Sequence, residues 1–347
     1  DVCSSDLSEI MTTKTGTSLE LEYRDTNGFG AAQGGRGYYL PVDLAVRSDG
    51  RIYVLSRGDA VQGGNGIKIT DIEHNWYDVI SGRGRSPGEF ISATAIVFDA
   101  NDRIFMADEE LNRITIFDAD HSYVTHWGTQ GSGDGEFDGP SGLAFDRDGN
   151  LLVVDDKNHR IQRYTPEGGY ISSIGSHGSG DGEFNFPWGV TVAPDGNIYV
   201  ADWRNDRIQR FTHDGEFIDA HGTTGLGENQ FHRPSNTAVD TDGNIFVADW
   251  ANQRVQVFDK SWNFQTSIRG AGELSVWAAE YIDANADEKE ARSSFDPYPE
   301  LDVEDPHEVS ARTEPYFWDP VSLALFDDTR LLVLETGRHR FQVWEKV

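Results

Sequence analysis

Arg57-Gly58-Asp59 follows the apolar run Ile52-Tyr53-Val54-Leu55-Ser56 and sets a guanidinium beside a carboxylate in a short loop. A guanidinium can hold an anion, and a carboxylate can carry a proton. Trp203 and Trp250 each come directly after an aspartate, and Trp188 follows Pro187. Exposed indole faces can stack on a sugar or a cation. His232, two residues before Pro234, is the one histidine whose place suits a site. Arg57, Asp59 and His232 are therefore the catalytic candidates. Trp188, Trp203, Trp250 and Arg57 are the ligand-binding candidates, joined by Trp277 and Trp318 from an acidic stretch described below.

Other chemistries are poorly served. Asp202 and Arg207 look like an ion-pair site, but the pair recurs as Asp249/Arg254, Asp155/Arg160 and Asp108/Arg113. Recurrence of that kind reads as a structural brace. Asp146-x-Asp148-Gly149 and Asp240-x-Asp242-Gly243 echo the opening of a calcium loop, but they lack its downstream glutamate and fit hairpin turns better. Calcium stays a minor expectation, and no other cofactor is expected. Gly131-x-Gly133-x-Gly135 has no following helix to make it a phosphate loop. The single Cys3 forbids an internal disulfide and offers no thiol cluster for a metal.

Composition narrows the partners. The chain has 347 residues, with 29 basic against 59 acidic side chains and a net charge of −30, which argues against a nucleic acid partner. No apolar run approaches the roughly 18 residues of a membrane span. Only six of the bases are lysine, and an acid-rich, lysine-poor surface suits a saline setting or reflects compositional drift. A monomer is expected. Asp1-Val2-Cys3-Ser4-Ser5-Asp6-Leu7 resembles translated sequencing-adaptor read-through at the end of a metagenomic gene fragment. On that reading the natural N-terminus is missing, residues 1–17 are a tail, and the compartment stays open, export included.

The elements that must position these residues come from a repeat. Proline-opened apolar stretches begin at Pro41, Pro140, Pro187, Pro234 and Pro320, with a copy lacking the proline at Ala93. Successive starts lie 52, 47, 47, 47 and 86 residues apart. Such a period means a solenoid or a propeller. Each copy holds short apolar runs parted by turns such as Asp195-Gly196-Asn197, where glycine supplies the positive φ of a hairpin. Four strands per copy describe one blade, so the fold expected for 18–347 is all-β: a six-bladed β-propeller of four-stranded antiparallel blades. The last copy stops after its third strand. The alternating Leu19-Glu20-Leu21-Glu22-Tyr23 is expected to supply the fourth and close the ring, removing two sheet edges.

The pattern Asp202-x-x-Asn205-x-Arg207-Ile208-Gln209-x-Phe211, repeated from Asp249 to Phe258, resembles the NHL-repeat six-bladed propellers. The link Gly178-Ser179-Gly180-Asp181-Gly182-Glu183-Phe184-x-x-Pro187 is equally typical of them. That family includes binding modules, receptors and lyases, so the resemblance implies the fold and leaves function open. Among its members, the peptidyl-hydroxyglycine amidating lyases carry an apolar strand followed by His-Arg-Gly-Asp. The stretch from Ile52 to Asp59 is similar, and the resemblance maps their catalytic arginine onto Arg57. Those lyases hold a metal with histidines placed directly after the opening prolines. Here the six positions are Val42, Thr94, Ser141, Trp188, Ser235 and Val321, and Ser56 replaces one more histidine.

The spacing of 86 marks an insertion within 271–319, which holds 14 acids, three bases and the aromatics Trp277, Tyr281, Tyr298, Tyr316, Phe317 and Trp318. Its aromatic content predicts a partly docked lid over the mouth, forming an acidic-rimmed, aromatic-floored pocket for a neutral glycan or a cationic ligand. The leading expectation is a binding or interaction module that recognises a small molecule, glycan or peptide on that face. The alternative is a lyase- or hydrolase-type enzyme with an altered metal site.

Overall fold

The computed structural model describes residues 19–30, 36–59, 61 and 63–347; the expected tail and Cys3 lie outside them. Apolar runs separated by Asp-Gly turns pair into six four-stranded antiparallel sheets. Their innermost strands are Pro41–Val46, Ala93–Phe98, Pro140–Phe145, Pro187–Val192, Pro234–Val239 and Pro320–Leu325. Each packs against the next and the last against the first, which closes a ring.

Every blade is sandwiched between two others, so the second strands cannot alternate polar with apolar. Ile104–Asp108, Leu151–Asp155, Ile198–Asp202 and Ile245–Asp249 are buried at every position. Outermost strands such as Phe217–His221 alternate instead. The core is correspondingly divided into six clusters, one in each seam between neighbouring blades.

Closure comes from the N-terminal side, as the sequence predicts. Leu21–Asn27 pairs antiparallel with Arg340–Lys346, from Leu21↔Lys346 to Asn27↔Phe341. The strand runs four residues beyond the alternating segment because a bulge between Tyr23 and Asp25 resets the register. The reset buries Thr26 and Asn27, and Asn27 Nδ2 donates to the Asp71 carbonyl of blade one at 3.0 Å.

Three of the recurrent Asp/Arg pairs, Asp155/Arg160, Asp202/Arg207 and Asp249/Arg254, are braces. In the fourth, Arg113 makes no ion pair with Asp108 and donates only to the link carbonyls of Ser86 and Glu89, its Nε lacking a partner. Asp202 accepts from Asn185 N–H, Asn205 Nδ2 and Arg207 Nε, each at 2.8 Å, and from Gln209 Nε2 at 3.0 Å. Arg207 also reaches the link carbonyls of Gly180 and Glu183. The buried carboxylate thus ties its own loop to the incoming link. The Asp-Gly turns are equally occupied. Asp146 accepts from the N–H groups of Asp148 and Asn150 and pairs with Arg163, while Asp240 accepts from Asn244 N–H and Lys346 Nζ. These carboxylates have turn amides and a cation where a calcium ligand set needs free oxygens.

The insertion forms three helices that the strand-based reading did not anticipate: α1 (Val276–Ala284), α2 (Ala286–Ser293) and α3 (Pro306–Arg312). Ser275 caps α1 by accepting from Ala278 N–H, and Asp305 caps α3 by accepting from Glu308 N–H. Trp277 is 2% exposed, packs on Tyr38 and Trp76, and donates from Nε1 to the His74 carbonyl at 3.0 Å. It anchors α1 in the seam between blades six and one. α3 packs on the Trp250–Asn252 turn, and Arg338 of blade six donates to the Ser310 and Ala311 carbonyls. The insertion therefore seats α1 in one seam and α3 against the Trp250–Asn252 turn.

Candidate functional site

First strands begin, and second strands end, at the same end of the axis. The residue directly after each second strand is Arg57, Glu109, Asp156, Trp203, Trp250 and Thr336 in blade order. One per blade, they ring the mouth of the central channel. Arg57 Nε donates to the Ala93 carbonyl at 2.7 Å, and Thr336 Oγ1 donates to the Pro41 carbonyl at 2.7 Å. Both reach the opening residue of the following blade, so this column of residues faces its neighbour's first strand.

Half of the ring is charged. The Arg57 guanidinium pairs with Glu109 at 2.9 Å, and Ser92 Oγ also donates to Glu109 at 2.8 Å. Asp156, next along, is 7% exposed, and its Oδ1 has no hydrogen-bond partner. Burial pushes its carboxyl up to about 7; Lys157 opposes the rise, and Glu109, Asp155 and Asp138 add to it. A carboxyl that is half protonated near neutrality thus stands in line with a guanidinium–carboxylate pair.

Of the other three positions, two are aromatic and the third is Thr336. The Trp203 and Trp250 rings lie 6.4 Å apart at 47°. Arg233 sits 4.7 Å from the Trp203 centroid, and Arg204 sits 4.3 Å from that of Phe186. The protein's own guanidiniums already cover these faces. The aromatic wall is therefore basic in character, and the acidic-rimmed pocket for a cation expected from composition does not form here. Trp318 donates from Nε1 to His307 Nε2 at 3.0 Å and lies under Arg338, so it joins this half through α3.

Below the mouth, a channel of about 430 Å³ follows the axis and is lined by all six first strands, Trp188 among them. Val42, Thr94, Ser141 and Val321 line it too, at the places where the resembling lyases hold metal-binding histidines. Among the described residues, no three His, Cys, Asp or Glu side chains gather as a metal-ligand set. Asp43 also faces the channel. Protein atoms crowd it closely, and that burial pushes its carboxyl up to about 6 against hydrogen bonds from Ser322 Oγ and Ile96 N–H. Those donors belong to blades six and two, so Asp43 bridges both neighbours of blade one.

The structure thus brings Arg57, Trp188, Trp203, Trp250 and Trp318 to one end of the axis and leaves Trp277 in a peripheral seam. Asp59 organises its own loop, accepting from Val61 N–H at 2.7 Å. His232 donates its backbone N–H to Asp249, part of the brace, while its ring is exposed. Glu109 and Asp156 are the residues that inspection of the sequence passed over. The alignment that puts Trp203 and Trp250 after equivalent aspartates puts these two in the same column.

The NHL-repeat family model matches residues 137–164, 184–211 and 231–258, each running from the end of a link through the second and third strands of one blade. No curated protein matches in sequence. Among solved structures, a streptogramin B lyase superposes over 95% of this chain and 98% of its own, with a TM-score of 0.56 and 10% identity. A catalytically inactive variant of virginiamycin B lyase from Staphylococcus aureus with quinupristin covers 95% of this chain and 100% of its own, at TM-score 0.54 and 12% identity. A Bacteroides thetaiotaomicron protein of unknown function gives TM-score 0.62 at 14% identity, covering 95% of this chain and 76% of its own. Likeness at such identities speaks for the fold alone. The motifs, the ring of six blades and these superpositions agree on a six-bladed β-propeller, three blades of which match the NHL-repeat model.

Proposed function

We propose that the mouth of the channel is the active site of a lyase- or hydrolase-type enzyme that works by acid–base chemistry on a ligand carrying an acidic or carbonyl group. The observation that carries this reading is the row Arg57–Glu109–Asp156 on three successive blades. Asp156, titrating at about 7, is the proton carrier. Arg57 uses two of its N–H groups on Ala93 and Glu109, and the remainder stabilise negative charge that develops on the substrate. Trp188, Trp203 and Trp250 hold the apolar part, with Arg233 and Arg204 attracting an anionic end. Solved lyases share this fold, so elimination and hydrolysis are both to be tested at this site.

A second reading rests on the aromatic wall alone: recognition of a peptide, glycan or small molecule at the same face without turnover. One experiment separates the two. The protein is incubated with quinupristin and with a peptide ending in hydroxyglycine, and product masses are read for wild type, Asp156→Asn and Arg57→Ala. Elimination conserves the summed mass of substrate, whereas hydrolysis adds a water. Turnover lost in both variants supports the enzyme. Binding that perturbs the tryptophans, with no turnover by the wild type, leaves recognition as the function.

A further inference from the structure

Blade one breaks the brace at three positions together. In the other blades Asp108, Asp155, Asp202, Asp249 or Glu335, each 0% exposed, ends the second strand. Each accepts a backbone N–H from the incoming link, from Ile91, Asp138, Asn185, His232 and Trp318 respectively. In blade one that acid is Ser56. Gly66, paired with Ser56, takes the place of the bracing arginine, and Lys68, paired with Val54, takes the place held by Gln162, Gln209 or Gln256. The link N–H at the matching position belongs to Tyr39 and has no acceptor among the described residues.

The donors have been kept and the acceptor removed. Ser56 is 0% exposed, and its Oγ has no hydrogen-bond partner. Lys68 is 5% exposed and has no ion-pair partner among the described residues; burial alone pulls its ammonium below the ordinary range. Its side chain lies on the same sheet face as Ser56, because Gly66 is opposite Ser56 and Lys68 is two residues further along that strand. Lys68 Nζ sits 3.7 Å from the point where a Cβ on Gly66 would lie, so it enters the space that an arginine fills in the other blades. Val79 Cγ1, from the outer strand, comes within 2.6 Å of that same point and narrows the space on that side. A buried ammonium without an anion is unfavourable, and neighbouring unpaired donors compound the penalty.

We propose that blade one binds a small monovalent anion, of chloride or formate size, in place of the missing side-chain carboxylate, held by Lys68 Nζ, Ser56 Oγ and Tyr39 N–H. One ammonium balances one charge, and the anion takes the place of a single carboxylate group. The site lies at the base of the Arg57 loop. Arg57 N–H donates to the Leu40 carbonyl and Gly58 N–H to the Tyr39 carbonyl, both at 3.1 Å. An anion on Tyr39 N–H therefore steadies the same link that holds Arg57 in the mouth.

Thermal unfolding at fixed ionic strength, with chloride or formate exchanged for gluconate, tests this. The wild type is expected to gain stability with chloride or formate, its folding constant rising up to tenfold per tenfold increase in anion above the dissociation constant. The larger response tells which of the two fits better. Lys68→Met and Ser56→Asp should both lose the dependence, and Ser56→Asp should be as stable in gluconate as the wild type in the preferred anion, since its carboxylate is tethered. In crystals grown with bromide, one anomalous peak should touch Lys68 Nζ and Ser56 Oγ. No anion dependence in the wild type, the same dependence in Ser56→Asp, or no peak at this position would overturn the proposal.

Discussion

Replacing Asp156 by asparagine should make the protein relatively more stable as pH rises. The carboxyl, ordinarily near 3.8, titrates at about 7 in the folded chain. The native state therefore holds the proton where the unfolded chain has released it. The group's contribution to stability is full below 3.8 and is lost as pH climbs through about 7. At about 1.4 kcal/mol per pH unit, ionising the buried group costs the native state about 4 kcal/mol by pH 8. Asparagine keeps the shape and cannot ionise, and any penalty from burying its amide is the same at every pH. Asp43, titrating at about 6, is present in both proteins and cancels in the comparison. Urea unfolding followed by tryptophan fluorescence at constant ionic strength gives the stability difference between variant and wild type. That difference should move in favour of the variant by up to about 4 kcal/mol between pH 4 and pH 8. A difference that stays flat, or moves the other way, refutes the placement of a protonated carboxyl at the mouth.

Three further outcomes are expected. Arg207→Ala leaves Asp202, which is 0% exposed, without its cation and should cost about 3–5 kcal/mol in urea unfolding, as uncompensated buried charges do. Deleting residues up to Asn27 removes the outer strand of blade six and bares the edge of Arg340–Lys346, so size-exclusion chromatography should show self-association or loss of the folded monomer. Trp277→Ala should lower stability by about 3–5 kcal/mol through loss of a fully packed ring, while ligand-induced changes at Trp203 and Trp250 persist, because its seam is remote from the mouth.

The sequence made the architecture legible because a propeller repeats its grammar. The Asp-x-x-Asn-x-Arg brace, the Asp-Gly turns and the interrupted last copy each fix a local geometry, and together they determine blade number and closure. The column Arg57, Glu109, Asp156, Trp203, Trp250 and Thr336 was available from the same alignment. Its chemistry was not, since the high value of Asp156 arises from burial and from neighbouring carboxylates, Glu109 of the adjacent blade among them. The insertion was the hardest to read. Its acids face solvent and its helices have a weak apolar stripe, so composition implied a lid, while one tryptophan seated between blades six and one decides where α1 lies.

The most direct test of the acid–base site is a carbon-13 NMR titration of the Asp156 carboxyl in the wild type and in Glu109→Gln. The wild-type resonance should titrate at about 7, and removing the Glu109 charge should shift that midpoint downward. A wild-type midpoint in the ordinary carboxylate range, unaffected by the substitution, would contradict Asp156 as the proton carrier of this propeller.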